Sequence, residues 1–206
     1  MRGSRRGGGP TTRERKQELR AIALLKRRSM DPEELAARSS RVEVNLLSLK
    51  EYKSAAMVVS YCAKDDEVQT RPIIERALAD GKRVAVILTD VPTKTLSFSE
   101  IKSFEGDLAP GTFGILEPKP GRVRPVPFAE ADLVLVPLVA WDEKGHRLGY
   151  GAGYFDRALE GARRITKVGL ALESQRLTRI PESRYDVPLD VIVTERRVVR
   201  PARRTA

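Results

Sequence analysis

Residues 132–159 read DLVLVPLVAWDEKGHRLGYGAGYFDRAL, and they leave a chain few ways to fold. Leu133, Val134, Leu135 and Val136 form an unbroken apolar run, the pattern of a strand covered on both faces. Glycines follow at alternate positions, Gly149, Gly151 and Gly153, and a helix pattern opens near Tyr154. Buried strand, glycine-rich turn and helix start together predict an α/β sheet. With no side chains at the glycines, the backbone can approach a ligand and aim successive N–H groups at an anion. Arg147 adds a permanently charged planar donor, and Asp156 is suited to a hard cation shared with phosphates. The constellation predicts a nucleotide phosphate site. It is not a P-loop, because no G-x-x-x-x-G-K-[ST] occurs, and G-x-G-x-x-G fails at Tyr154.

The rest of the chain alternates in the same sense. Thr11 and Glu14 form a capping box for a helix over 13–28, with Leu19, Ile22 and Leu25 as its apolar stripe. Asp31, Pro32 and Glu34 start a second helix, whose stripe runs from Leu35 through Ser39, Val42 and Leu46 to Leu49, ending near Tyr52. These two helices are expected to pack face to face. Strands are expected at 55–61, 83–88, 133–137, 167–172 and 190–194, with 197–200 as a hairpin partner, and helices at 70–80 and 154–159. Between 89 and 131 prolines and glycines leave room only for short strands, near 94–98 and 113–116. The expectation is a mostly parallel central sheet with helices on both faces, an N-terminal helical pair and a single domain over 11–200. Ligands then belong beyond the carboxyl ends of the strands.

Charge narrows the partners. The chain carries a net +10, but residues 1–28 hold +8 and residues 196–206 hold +5, leaving the body between them at −3. A nucleic-acid reader concentrates its charge on a folded face. Here the folded body is slightly acidic, and the excess sits on the chain ends: a Gly/Arg-rich tail over 1–10, expected to be disordered, the end helix after it, and the basic C-terminal end with its tail over 201–206. Nucleic-acid binding therefore stands only as an alternative. No apolar run is long enough to span a bilayer, and no signal-peptide core follows the basic start. The one cysteine, Cys62, cannot form an internal disulfide, which suits a cytoplasmic protein.

The segment VPLVAWDEKGHRLGYGAGYFDR resembles the signature of the 5-formyltetrahydrofolate cyclo-ligase family, in which a strand ending in Pro and an aromatic-Asp turn precede Arg-Leu-Gly-x-Gly-x-Gly-Tyr-Tyr-Asp. KQELR (16–20), DEV (66–68), GILEP (114–118) and DVPLD (186–190) match in order, so the resemblance extends from about Lys16 to Val193. Phe155 stands where the family usually has a second Tyr, and Ala152 where some members have Lys.

The resemblance implies a ligase of one-carbon metabolism that uses ATP and Mg²⁺ to cyclise 5-formyltetrahydrofolate to 5,10-methenyltetrahydrofolate, releasing ADP and phosphate. A relative with the same ATP site and a different acceptor is the enzymatic alternative. Arg147 and Tyr154 are the implied catalytic residues. The implied ATP contacts are Lys16 and Arg20 together with Arg147, Leu148, Gly149, Tyr150, Gly151, Ala152, Gly153, Tyr154 and Phe155. Cys62, Glu67 and the run from Tyr150 to Tyr154 are implied to line the folate site. Asp156 and Asp190 are the implied Mg²⁺ ligands. By residue chemistry alone, Lys16 and Arg20 share one helix face, and Glu67 is an acceptor suited to ring N–H donors. Asp142 and Gly145 read as the ends of a type I turn, with His146 exposed beside it. Trp141 suits core packing or stacking on a flat heterocycle. The expected partners are small molecules, with no membrane, and the chain is compatible with a monomer or a dimer.

Overall fold

A computed structural model describes residues 9–202 of the 206-residue chain. Most of the 1–10 tail and of the 201–206 tail thus lies outside the described residues. The capping box forms as read: Thr11 Oγ1 accepts from Glu14 N, and Glu14 accepts from Thr11 N at 2.8 Å. It opens α1 (Thr12–Arg28). Asp31 caps α2 (Pro32–Ser48) by accepting from Glu33 N and Glu34 N. The expected single helix to Tyr52 breaks at Leu49, whose backbone is extended, and α3 (Lys50–Ser54) follows. That turn carries Leu49 and Tyr52 together into the core.

Alternation then proceeds through β1 (Met57–Ser60), α4 (Arg71–Ala79), β2 (Arg83–Asp90), β3 (Thr95–Ile101), α5 (Phe104–Asp107), β4 (Leu108–Pro110), β5 (Leu116–Pro118) and β6 (Leu133–Val136). The short strand expected near 113–116 forms as β5 but starts only at Leu116, because a 3₁₀ turn at Thr112–Gly114 takes the first two of those positions. Next come β7 (Ala140–Trp141), β8 (Arg147–Leu148), α6 (Tyr154–Leu159), β9 (Thr166–Leu170), β10 (Val191–Val193) and β11 (Val198–Val199).

Seven strands make one sheet in the order β11-β10-β9-β6-β1-β2-β3. The five central strands run parallel, and an antiparallel strand, β3 or β11, closes each edge. Alternate residues divide between two cores. Val58, Val84, Leu133, Leu135, Val168 and Val193 face α2, α3 and α4. Val59, Ala85, Val134, Val136 and Ile192 face Trp141 and α6. The continuous apolar strands exist because both faces are covered.

The first helix departs from expectation. Its buried positions are Ala23 and Arg27, while Ile22 and Leu25 are 57% and 70% exposed. Ala23, with Leu19 and Leu24, packs on Val139, Ala140, Leu148 and Ile180 rather than on α2. Those partners follow the carboxyl end of β6. The helix therefore lies across the edge of the sheet where a ligand is expected.

Candidate active site

Because the five central strands are parallel, their carboxyl ends share one edge, and the chain after each end meets the others there. From the far side α1 presents Lys16, Arg20 and Arg27. Arg20 Nε donates to the Gly149 carbonyl at 2.6 Å. Its guanidinium also lies against Gly151, where a Cβ would sit 3.2 Å from Arg20 Cζ. Gly151 has φ +102° and Gly153, which caps α6, has φ +72°, so the glycines serve backbone shape as well as close approach.

Arg147 leaves β8 with its side chain buried, donating through Nη2 to Asp156 Oδ1 at 2.8 Å and through Nη1 to the Val187 carbonyl. Burial pulls the Arg147 guanidinium down from its ordinary range, while Asp156 and Asp186 pull it back up. Val187 N donates to the same Asp156 oxygen at 3.2 Å. Beside it, Asp186 Oδ2 accepts from Lys16 Nζ and from Ser183 N. Asp156 Oδ2 and Asp186 Oδ1 accept no hydrogen bond among the described residues. Two carboxylates with a free oxygen each, near Lys16 and Arg147, form a donor set that fits Mg²⁺ bound chiefly by phosphates and water.

Asp190 does not join them. It precedes β10, at the opposite edge of the sheet, where its carboxylate accepts from Lys167 N at 2.9 Å and pairs with Lys167 Nζ at 2.8 Å. The DVPLD run contains two aspartates four residues apart, and the extended chain sends them to different ends of the sheet. Asp186 is the one beside Asp156.

A second set of contacts joins the glycine run to the loop after β1. Tyr150 Oη donates to Glu67 Oε1 at 3.1 Å and accepts from Arg27 Nη2 at 2.6 Å. Lys64 N donates to Glu67 Oε2 at 2.9 Å. Burial pushes the Glu67 carboxyl up, while the Lys64 N–H, Arg27 and Tyr150 pull it down. Burial, then the charge of Glu67, push the Tyr150 phenol up to about 12, so the hydroxyl keeps its proton. A cleft of about 330 Å³ opens here, lined by Arg27, Arg28, Lys64, Asp65, Asp66 and Tyr150. At its side Lys64 Nζ lies 5.6 Å from the Tyr150 ring centre and 6.0 Å from that of Phe113. Phe113 is exposed and holds φ +59° in the turn before Gly114. Such a backbone in a bulky residue is uncommon and marks a constrained loop.

Cys62 is buried beside Tyr61 in the core. Burial, with Glu117 adding to it, pushes the thiol up to about 12, so the environment favours the protonated thiol over a thiolate nucleophile. Trp141 is a core residue, fully buried with Nε1 donating to the Leu172 carbonyl at 3.0 Å. His146, expected to be exposed, is buried: Nδ1 lies 3.1 Å from Asp142 Oδ2, and Nε2 lies 3.6 Å from Glu182. Asp142 also accepts from Ile180 N at 2.9 Å, so the turn at Asp142–Gly145 pins the chain that leads to Asp186. Tyr154 and Phe155 are partly buried at the start of α6, with the Arg157 guanidinium 5.5 Å from the Tyr154 ring centre.

Sequence reasoning passed over Arg27, Lys64, Phe113 and Asp186. Two left a visible signal: Asp186 inside DVPLD, and Arg27 two turns beyond Arg20 on the helix face of Lys16 and Arg20. Lys64 and Phe113 gain their places only from loop geometry.

A model of the 5-formyltetrahydrofolate cyclo-ligase family matches residues 12–195. The 5-formyltetrahydrofolate cyclo-ligase of Escherichia coli (strain K12) is 30% identical over 176 residues, covering 84% of this chain and 96% of its own. That of Haemophilus influenzae is 32% identical over 155 residues, covering 74% and 83%. The NMR structure of Aquifex aeolicus 5,10-methenyltetrahydrofolate synthetase superposes with a TM-score of 0.79 at 36% identity, covering 93% of this chain and 95% of that one.

Proposed function

The chain belongs to the 5-formyltetrahydrofolate cyclo-ligase family, and we propose that it closes 5-formyltetrahydrofolate to 5,10-methenyltetrahydrofolate at the expense of ATP, through one site built by residues 11–200. The observation that carries this reading is Tyr150. Its backbone belongs to the glycine run under Arg20, its side chain lines the cleft, and its hydroxyl reaches the buried Glu67 3.1 Å away. One residue thus borders both the phosphate side and the heterocycle side.

The formyl group is a poor electrophile, being amide-like. In the proposed sequence its oxygen attacks the γ-phosphorus of ATP, the bond to ADP breaks, and a phosphorylated imidate forms. The neighbouring N10 amine adds to the imidate carbon and gives up its proton, and phosphate leaves as the second C–N bond completes. Phosphoryl transfer of this kind depends on positioning and on charge stabilisation, so no protein nucleophile is needed. Arg20 and the glycine N–H groups would hold the phosphates, with Lys16 beside them. Arg147 would stabilise charge developing on the transferred group, its guanidinium oriented in advance by Asp156 and the Val187 carbonyl. Asp156 and Asp186 would hold Mg²⁺, which when bound supplies charge neutralisation between phosphate oxygens. Glu67 would accept from the pterin ring N–H groups, with the Phe113 and Tyr150 rings walling the rest of the flat substrate. Burial of Arg27, and the inward course of Lys16 and Arg20, remove basic residues of α1 from any nucleic-acid face.

An ultraviolet absorbance time course with purified protein, 5-formyltetrahydrofolate and ATP tests this. The methenyl chromophore is expected only when ATP and Mg²⁺ are both present. A folded protein that binds ATP and yields no chromophore would move the assignment to another acceptor.

A further inference from the structure

We propose that Arg27, a residue outside the family pattern described above, is a positioning residue for the substrate heterocycle: it sets a positive charge beside Glu67 and, with Glu67, holds Tyr150 in the wall of the cleft. This rests on the cyclo-ligase reading and deepens it. The side chain is only 2% exposed, although it lies on a helix whose neighbours Lys26 and Arg28 are in water. Burying a guanidinium is costly unless its donors are used, and here every edge is used. Nε and Nη2 donate to Asp66 Oδ2 at 3.0 and 2.8 Å, and Nη2 also reaches Tyr150 Oη at 2.6 Å. Nη1 points to the Leu138 carbonyl at 3.5 Å and lies 3.8 Å from Glu67 Oε1. One side chain therefore ties α1 to the loops after β1 and β6 and to the glycine run.

The chemistry of Glu67 explains why a cation belongs there. To accept from ring N–H donors Glu67 must be a carboxylate, because a protonated carboxyl turns one oxygen into a donor. Yet it is buried, which favours the neutral form. The groups facing it are Arg27 from α1, Lys64 and Asp66 from its own loop, Tyr150 from the glycine run and Tyr61 at the end of β1. Asp66 and the two phenols bring no positive charge, and Lys64 bonds Glu67 through its backbone N–H. The full charge opposite Glu67 is that of Arg27. Arg27 and Glu67 also grip the Tyr150 hydroxyl from two sides, which fixes the wall of the cleft.

The experiment compares Arg27→Gln, which keeps a donor and removes the charge, with Arg27→Lys, which keeps the charge. Initial rates are measured with each substrate varied across pH, and thermal melting is followed in parallel. Arg27→Gln is expected to raise KM for 5-formyltetrahydrofolate about 10-fold or more while KM for ATP stays within about 2-fold, as for loss of a charged contact. The acid limb of kcat/KM for the folate should move up by about one pH unit, because loss of the cation raises the Glu67 pKa. Arg27→Lys should hold that limb near its wild-type position. Equal rises in both KM values, or an acid limb that stays put in Arg27→Gln, would overturn the positioning role and leave Arg27 a structural tie. Wild-type protein that makes no methenyl product would instead overturn the cyclo-ligase reading and this proposal with it.

Discussion

Gly151 shows how little room a single residue leaves at this site. Its φ of +102° disfavours any side chain, and a Cβ would meet the Arg20 guanidinium at 3.2 Å. Gly151→Val should therefore push Arg20 off the glycine run and cost ATP affinity by about 100-fold or more, if the cradle supplies several charge-assisted contacts. Calorimetric titration with ATP, beside a circular dichroism spectrum, checks this; unchanged affinity in a folded variant would sink the cradle. A different residue governs acid stability. Asp107 is buried and bonded by Arg124 at 2.9 Å, with Lys102 N and Ser103 N also donating to it. Chiefly the Arg124 hydrogen bond, working against burial, pulls its carboxyl down from 3.8 to about 2. A folded value below the unfolded one stabilises the fold above the unfolded pKa, and the benefit is lost as pH falls through the folded pKa. Asp107→Asn should thus be less stable than the parent by about 2 kcal/mol at pH 7. The gap should narrow between about pH 4 and about pH 2 as the parent carboxyl protonates. Urea unfolding across that range would contradict this if the gap stayed constant.

At the scale of elements, α1 is where periodicity misled and chemistry did not. Leucine and isoleucine at 19, 22 and 25 suggest a stripe, yet the side facing the protein holds Lys16, Arg20, Ala23 and Arg27. The reason is what the helix covers. A helix laid over a polar cleft turns its charged residues inward, so an amphipathic reading that assumes an oily partner places the wrong side on the core. Two substitutions separate the readings. Leu25→Glu should change stability by less than about 0.5 kcal/mol, as at an ordinary surface position. Ala23→Leu should cost about 1–3 kcal/mol by overpacking against Val139, Ala140, Leu148 and Ile180. If melting curves gave the reverse order, the expected stripe would be the buried one. By contrast, α6 opens at Tyr154 as read, because the glycine before it and the acid in its first turn are local signals. The split at Leu49 had no such signal, since Leu49 sits in the helical stripe and only the tertiary core decides that the chain turns there.

Across the whole molecule the sheet separates what the sequence sets side by side. The central strands were legible because a run covered on both faces is apolar at every position, and the parallel sense of β1 with β2 and of β6 with β9 followed from the helices α4 and α6 between them, whereas β9 and β10 run parallel with no α-helix between them. Which residues meet at the carboxyl edge was legible for the glycine run, where Arg147, Gly149, Gly151, Gly153 and Asp156 are close in sequence. Contacts made across long separations, Lys16 with Asp186 or Arg27 with Asp66, carry no local pattern. The DVPLD run tests this most sharply. A strand-like segment rises about 3.3 Å per residue, so four residues take the chain from the ligand side of Arg147 to the opposite edge at Lys167. Asp186→Asn should therefore raise the Mg²⁺ concentration needed for half-maximal turnover and for nucleotide binding severalfold. Asp190→Asn should leave both nearly unchanged and instead lower stability by about 1–2 kcal/mol, because Lys167 loses its partner at 2.8 Å. Mg²⁺ titrations of turnover and of nucleotide binding, with a melting curve for each variant, decide between the two aspartates. A raised Mg²⁺ requirement in Asp190→Asn alone would mean that the metal is held from the far edge of the sheet. A site split in that way would leave Asp156 and Arg147 without a metal between them and the phosphates, and charge stabilisation there would fall to the arginines.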